Sequence, residues 1–278
     1  MSRYGKMRRP AVAVSVLAAA VSAIVLPLGS PASAAPSAFA FTKIEGAAGD
    51  AAGLTPTVTA FRGLLGEPNN ASNPPAAAGR REINWDGTPD AQSAPNLLPP
   101  DFFNTTVPRG AVFVSKNNKF QVSADADNPT NTGVRFANIN GQYDDIFATF
   151  SPEKLFTPIA TNVMGVRFFV PGTNRPATVK GFGAVFTDVD RANTTKLELL
   201  DRYGKVIYVA YAPKATQASR GLSFVGVKTN ADIWEVRITT GNAPLSSKNL
   251  DGKKYDLVVM DDFLYAEPTA SGRPTRRK

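Results

Sequence analysis

The stretch A-T-V-K-G-F-G-A-V-F-T-D-V-D, residues 177–190, decides how the rest of the chain reads. Phe182, Ala184 and Phe186 share one face at the two-residue period of a strand, and Val185 and Val189 fall on the other. Gly181 and Gly183 leave room for a close neighbour. Asp188 and Asp190 then arrive on the phenylalanine face, where a carboxylate without a partner is costly. Either the strand stops near Thr187 or these acids meet a cation.

Outward from this segment, strand candidates follow one another with turn chemistry between them. They cover 163–170, 178–187, 195–200, 206–212, 222–227, 233–239 and 255–265, and R-Y-G-K makes a hairpin of the third and fourth. Trp234, Val236 and Ile238 alternate with Glu235 and Arg237, the pattern of a half-buried antiparallel strand. Upstream, 111–115 and 119–123 flank N-N and read as a second hairpin. No helical period of useful length interrupts the second half. The expected fold is all-β, an antiparallel two-sheet β-sandwich over residues 79–268 with a short N-terminal extension.

The extension has its own signals. Basic residues, an apolar run over 11–28 and the triplet Ala32-Ser33-Ala34 make 1–34 a secretory signal peptide, so the protein is expected to be secreted, with no membrane span after signal cleavage. Residues 35–78, rich in Ala, Gly, Pro and Asn, read as a low-complexity linker around one packed segment at 56–66. There Val58, Phe61 and Leu64 or Leu65 fit a short helix, while Thr57 and Thr59 permit a strand equally well. Residues 269–278 read as a basic, disordered tail.

The formal charge of +8 is an effect of position. Four of the 31 basic residues lie in the signal and four in the last six positions; the remaining 23 equal the 23 acids. The body is therefore neutral and carries no footprint for nucleic acid. The chain has neither cysteine nor histidine. That excludes disulfides, thiolate or histidine metal sites, and every Ser-His or Cys-His nucleophile system. Oxygen-ligated ions such as Ca²⁺ stay open.

Three groups of polar residues stand out. Glu82, Asn84 and Asp86 alternate with Arg81, Ile83 and Trp85 at the start of the sandwich. A loop over 136–150 gathers Asn140, Asp144 and Asp145 around Tyr143; amides, carboxylates and an aromatic are what a sugar-facing surface requires. In L-V-V-M-D-D-F-L-Y, residues 257–265, strict alternation sends Asp261 and Asp262 to opposite faces, so one points into the core. That carboxylate needs an arginine such as Arg81 or Arg237, or a bound cation.

The motifs G-R-R-E-I-N-W-D-G, L-L-P-P-D-F-F-N, F-S-P-E-K-L-F-T-P, G-F-G-A-V-F-T-D-V-D, R-I-T-T-G-N and V-V-M-D-D-F-L-Y together resemble a group of secreted, largely uncharacterised bacterial proteins. Residues 178–268 are also similar to carbohydrate-binding-module-like jelly rolls of galactose-binding type. The second resemblance implies a structural Ca²⁺ joining the first strand to the last, through Glu82 or Asn84 and Asp261 or Asp262, with Asp188 and Asp190 in the same site, a second one or none. It also implies a non-catalytic protein that binds a glycan or another cell-surface ligand. Two alternatives remain: a polysaccharide-active enzyme using paired carboxylates such as Asp188/Asp190 or Asp144/Asp145, and a structural or adhesive envelope protein.

Overall fold

The structure is a computed structural model that describes residues 39–271. The signal peptide read over 1–34 and residues 272–278 of the basic tail lie outside the described residues. The chain runs β1 (Phe41–Ala48), α1 (Ala51–Leu65), β2 (Arg80–Ile83), α2 (Phe102–Thr105), β3 (Ala111–Ser115), β4 (Phe120–Val122), α3 (Tyr143–Ile146) and β5 (Phe156–Pro158). It continues through β6 (Val163–Phe168), β7 (Ala177–Thr187), β8 (Lys196–Leu200), β9 (Val206–Tyr211), β10 (Leu222–Ile233), β11 (Glu235–Thr239), β12 (Val259–Ala266) and β13 (Thr269–Ala270).

These strands form the expected all-β sandwich. One sheet has the order β1-β10-β7-β12-β5-β4, with β2 also on β12 and β13 on β7; the other is β3-β6-β11-β8-β9. All the strand pairings in both are antiparallel. The residues of 177–190 sit at the centre: β7 pairs with β10 on one side and β12 on the other. Its Phe182 meets Phe263 of β12 at 5.3 Å between ring centroids and Phe168 of the opposite sheet at 6.3 Å, so the phenylalanine face is the inner one. Trp85, fully buried, stacks on Phe156 at 4.0 Å and completes the aromatic core.

The other face of β7 is covered by α1. Leu54, Val58, Phe61 and Leu65 are its buried residues, spaced to make one apolar stripe, and the Asp50 carboxylate caps its start by accepting from the Gly53 N–H at 2.8 Å. The glycines are the reason this helix can lie so close. A Cβ placed on Gly183 would stand 2.7 Å from the Phe61 ring, one on Gly226 of β10 2.6 Å from it, and one on Gly181 2.6 Å from Leu65. The close neighbour anticipated from Gly181 and Gly183 is therefore this helix.

Three sequence expectations need correction, the first being the disordered tail read from 269, since β13 pairs Thr269 with Thr178 and Ala270 with Ala177. Residues 35–78 are not a linker throughout: β1 pairs along its full length with β10, α1 packs on the sheet, and the compact unit begins at Phe39. Ala- and Gly-rich composition hid elements whose stability comes from tertiary contact. The stretch 111–123 is not a hairpin either, because β3 pairs with β6 and β4 with β5, in different sheets. Asn118 has a positive φ of 51°, and its side chain accepts from the Ser115 N–H at 2.9 Å, which turns the chain out of one sheet. Phe113 and Phe120 then meet across the core at 5.8 Å.

The free edges differ. On β1 the exposed Lys43 and Glu45 pair at 2.8 Å. On β9, Val206, Val209 and Tyr211 are 37, 39 and 40% exposed, and among the described residues no further strand pairs with this edge. Among the described residues no helix is long and apolar enough to cross a membrane.

Candidate metal centre

Where β7 ends, the chain turns sharply: Asp188 adopts a φ of 70°, in the left-handed region, and donates its N–H to the Gly221 carbonyl at 2.9 Å. The turn aims its side chain inward. Asp188 is fully buried, and neither of its carboxylate oxygens has a hydrogen-bond partner. Asp190 and Asp251, both half-buried, converge on it; one oxygen from each of the three lies within 4.8 Å of the others. Asp190 Oδ1 is also buried without a partner. No lysine or arginine forms an ion pair with any of the three among the described residues.

The surroundings hold this cluster rigidly. Asp251 Oδ1 accepts from the Leu257 N–H at 2.9 Å, fixing one carboxylate on its loop. Asp256, fully buried, accepts from the Asp190 N–H at 2.9 Å and from the Thr194 hydroxyl, and its own N–H donates to Asn242 at 2.9 Å. The Arg191 guanidinium turns away to the Gly252 carbonyl at 2.6 Å. Electrostatics registers the missing counter-charge: burial, and then the charges of Asp251, Asp190 and Asp256, push the Asp188 carboxyl up to about 9. Burial, with Asp251 and Asp256, pushes Asp190 up to about 6, and burial raises Asp251 as well. Three carboxylates of this kind, with oxygens alone as donors, are able to hold a metal ion, which would replace the missing protein partners.

The sequence marked Asp188 and Asp190 as acids on an apolar strand and gave no sign that Asp251 joins them. Its one local signal is the turn dipeptide Asp251-Gly252; it lies in a loop 61 residues beyond Asp190, which only the fold brings back to the end of β7.

The other proposed metal ligands do something else. Glu82 is held by arginines: Arg62 Nη2 at 2.8 Å and Arg80 Nε at 2.7 Å, whose charges keep its carboxyl low against the opposing effect of burial. The Asn84 side chain is exposed and only its carbonyl is engaged. Asp261 and Asp262 are both buried, and their partner is neither Arg81 nor Arg237. Between Met260 and Phe263, β12 carries one residue more than β7, a β-bulge that cancels strict alternation. Both carboxylates consequently reach one hydroxyl: Ser151 Oγ donates to Asp262 at 2.7 Å and lies 3.1 Å from Asp261, while the Phe150 N–H donates to Asp261 at 2.6 Å. Arg62 stands 3.7 Å from Asp262. Burial and the neighbouring Asp262 charge hold the Asp261 carboxyl well above its ordinary value, and burial raises Asp262 to about 6. Together these acids hold the loop at Phe150 and Ser151.

The loop expected to face a ligand is turned inward at its aromatic. Tyr143 is buried among Phe147, Phe136 and Leu257, and its hydroxyl lies 2.7 and 2.9 Å from the carbonyls of Ser246 and Asn249, donating to one of them. A buried ring offers no stacking surface, so Tyr143 is a packing residue. Asp144 pairs with Arg135, Asn140 accepts from the Gln142 N–H at 3.1 Å, and Asp145 is exposed with Arg220 at 3.9 Å. The four residues adjoin one another, around a satellite core.

Comparison with family models, with curated proteins and with solved structures found no match in any of the three. The fold and the acidic centre therefore carry the functional reading by their own chemistry.

Proposed function

We propose that this chain is a secreted, non-catalytic β-sandwich that binds a carbohydrate or another cell-surface ligand and is held in shape by a calcium ion between Asp188, Asp190 and Asp251. The observation that carries the ion is the Asp188 carboxylate, fully buried with both oxygens unpartnered beside two further acids. Leaving such a group ionised without a counter-ion costs several kcal/mol, so a cation restores what the protein itself withholds. Calcium suits the site better than magnesium. It accepts irregular arrangements of six to eight oxygens, and loop carbonyls and water supply what three carboxylates do not. With no histidine or cysteine anywhere in the chain, softer transition metals lack their preferred ligands.

In this reading the ion has a structural role. It fastens the end of the central strand to the loop before β12, as a cysteine-free exported protein requires if a long loop is to stay in place. The test is thermal unfolding after chelation and after return of Ca²⁺ or Mg²⁺. Calcium at millimolar concentration is expected to raise Tm by several degrees, more than magnesium does, and Asp188→Asn to abolish the response. Equal midpoints with chelator and with calcium would defeat the proposal.

A further inference from the structure

The turn between β8 and β9 and the junction between β10 and β11 enclose a cleft of about 390 Å³, at the opposite end of β7 from the acidic centre. Its most prominent wall is Tyr203, 77% exposed, and its floor includes the half-buried Trp234. Tyr203 is held in place. The Asp201 carboxylate accepts from the N–H groups of Tyr203 and Lys205 at 2.8 and 3.0 Å, Gly204 completes the turn at a φ of 78°, and Arg202 lies 4.9 Å from the ring centre. Arg202 Nη2 also donates to the Tyr203 hydroxyl at 2.7 Å. With one ring face occupied by the guanidinium, the other is a fixed apolar plane, already positioned before any ligand arrives.

Around this plane stand polar groups with unused capacity. Asn230 uses its side-chain oxygen on the Ala40 N–H at 2.9 Å and keeps its amide N–H groups. Asp232 engages Lys180 at 2.8 Å through Oδ1 alone, and the Trp234 indole N–H meets no acceptor among the described residues. Of the charged residues lining the cleft, Asp201 and Asp232 stand against Arg202, and Asp232 is paired with Lys180 at the rim, so little charge is left to select an ion. Matched donors and acceptors beside two aromatic rings suit a ligand that is apolar on its faces and hydroxylated at its rim.

We propose that this cleft binds a neutral sugar chain, with one ring lying on Tyr203 and its hydroxyls shared between Asp232, Asn230 and the Trp234 N–H. The proposal rests on the carbohydrate half of the reading above and is independent of the ion. It moves the ligand site from the loop around Tyr143 to the β8–β9 turn.

The protein's two tryptophans make the test direct, because Trp85 is buried in the core and Trp234 lines the cleft. Since Phe39 and Ser271 also border the cleft, the full mature chain is used. Tryptophan emission is followed during titration, in calcium, with neutral gluco-, xylo-, manno- and chito-oligosaccharides. At least one series is expected to give a saturable change, weakened at least tenfold in Tyr203→Ala and in Asp232→Asn, with the Tm response to calcium unaltered in both. Sugar binding that survives both substitutions at full strength would overturn the cleft and leave the carbohydrate reading standing. Silence across the whole panel, or a response to peptide hydrolysate alone, would overturn both.

Discussion

Asp188 shows how one backbone torsion turns a strand end into a charge problem. In the ion-free chain its carboxyl sits near 9, whereas an unfolded aspartate titrates near 4. Between those values the folded chain holds a proton that the unfolded chain has released, so stability falls as pH rises through the window. Denaturant unfolding in chelator is expected to show a loss on the order of several kcal/mol from pH 5 to 9, largely cancelled by calcium. Asp188→Asn should remove that residue's share of the slope, leaving a remainder of the same sign from Asp190, Asp251, Asp261 and Asp262, whose carboxyls are also raised. Arg81 illustrates the opposite arrangement. It is fully buried but reaches Glu267 through two hydrogen bonds of 2.8 Å, and its remaining donors meet four carbonyls. Glu267→Ala is expected to cost about 3–5 kcal/mol in equilibrium unfolding, because a paired charge becomes an orphan. Of these residues, the sequence exposed Asp188, Asp190, Asp261 and Asp262 as acids on apolar strands. It did not reveal their partners, since Ser151, Arg62 and Asp251 come from segments set beside them only by the fold.

At the scale of elements, periodicity located the strands of the second half and misjudged those that depend on a neighbour. The helix α1 carries Gly53 and Pro56 near its start, which break the local signal although the Leu54–Val58–Phe61–Leu65 stripe is present. What lets its apolar stripe pack so closely is the trough formed by Gly181, Gly183 and Gly226. Gly226→Ala should therefore be destabilising by about 1–3 kcal/mol through overpacking against Phe61. Phe61→Ala should cost about 3–5 kcal/mol, and a double-mutant cycle should show strong coupling, since the smaller residue makes room for the new methyl group. Additive losses in that cycle would contradict the contact. The bulge in β12 escaped detection for a related reason: alternation is a property of uninterrupted ladders, and an inserted residue leaves no compositional mark.

At the scale of the molecule, the sandwich class was legible because strand spacing and turn residues agree across 163–265, whereas the domain start was not. A chain beginning at Gly79 would strip β1 and α1 from the larger sheet and expose Phe224, Val185 and the glycine trough to water. It is expected to lose cooperative unfolding, whereas one beginning at Phe39 should melt in a single transition; equal behaviour by calorimetry would restore the boundary at 79. The edges at β1 and β9 then acquire a meaning for the protein in concentrated solution. On β1 a lysine and a glutamate stand guard, and charge at a sheet edge discourages another chain from adding a strand. On β9 the outward positions are valine and tyrosine, so self-association has a direction. Aggregates should grow from the smaller sheet, and a single Val209→Lys substitution should delay their light scattering without altering Tm.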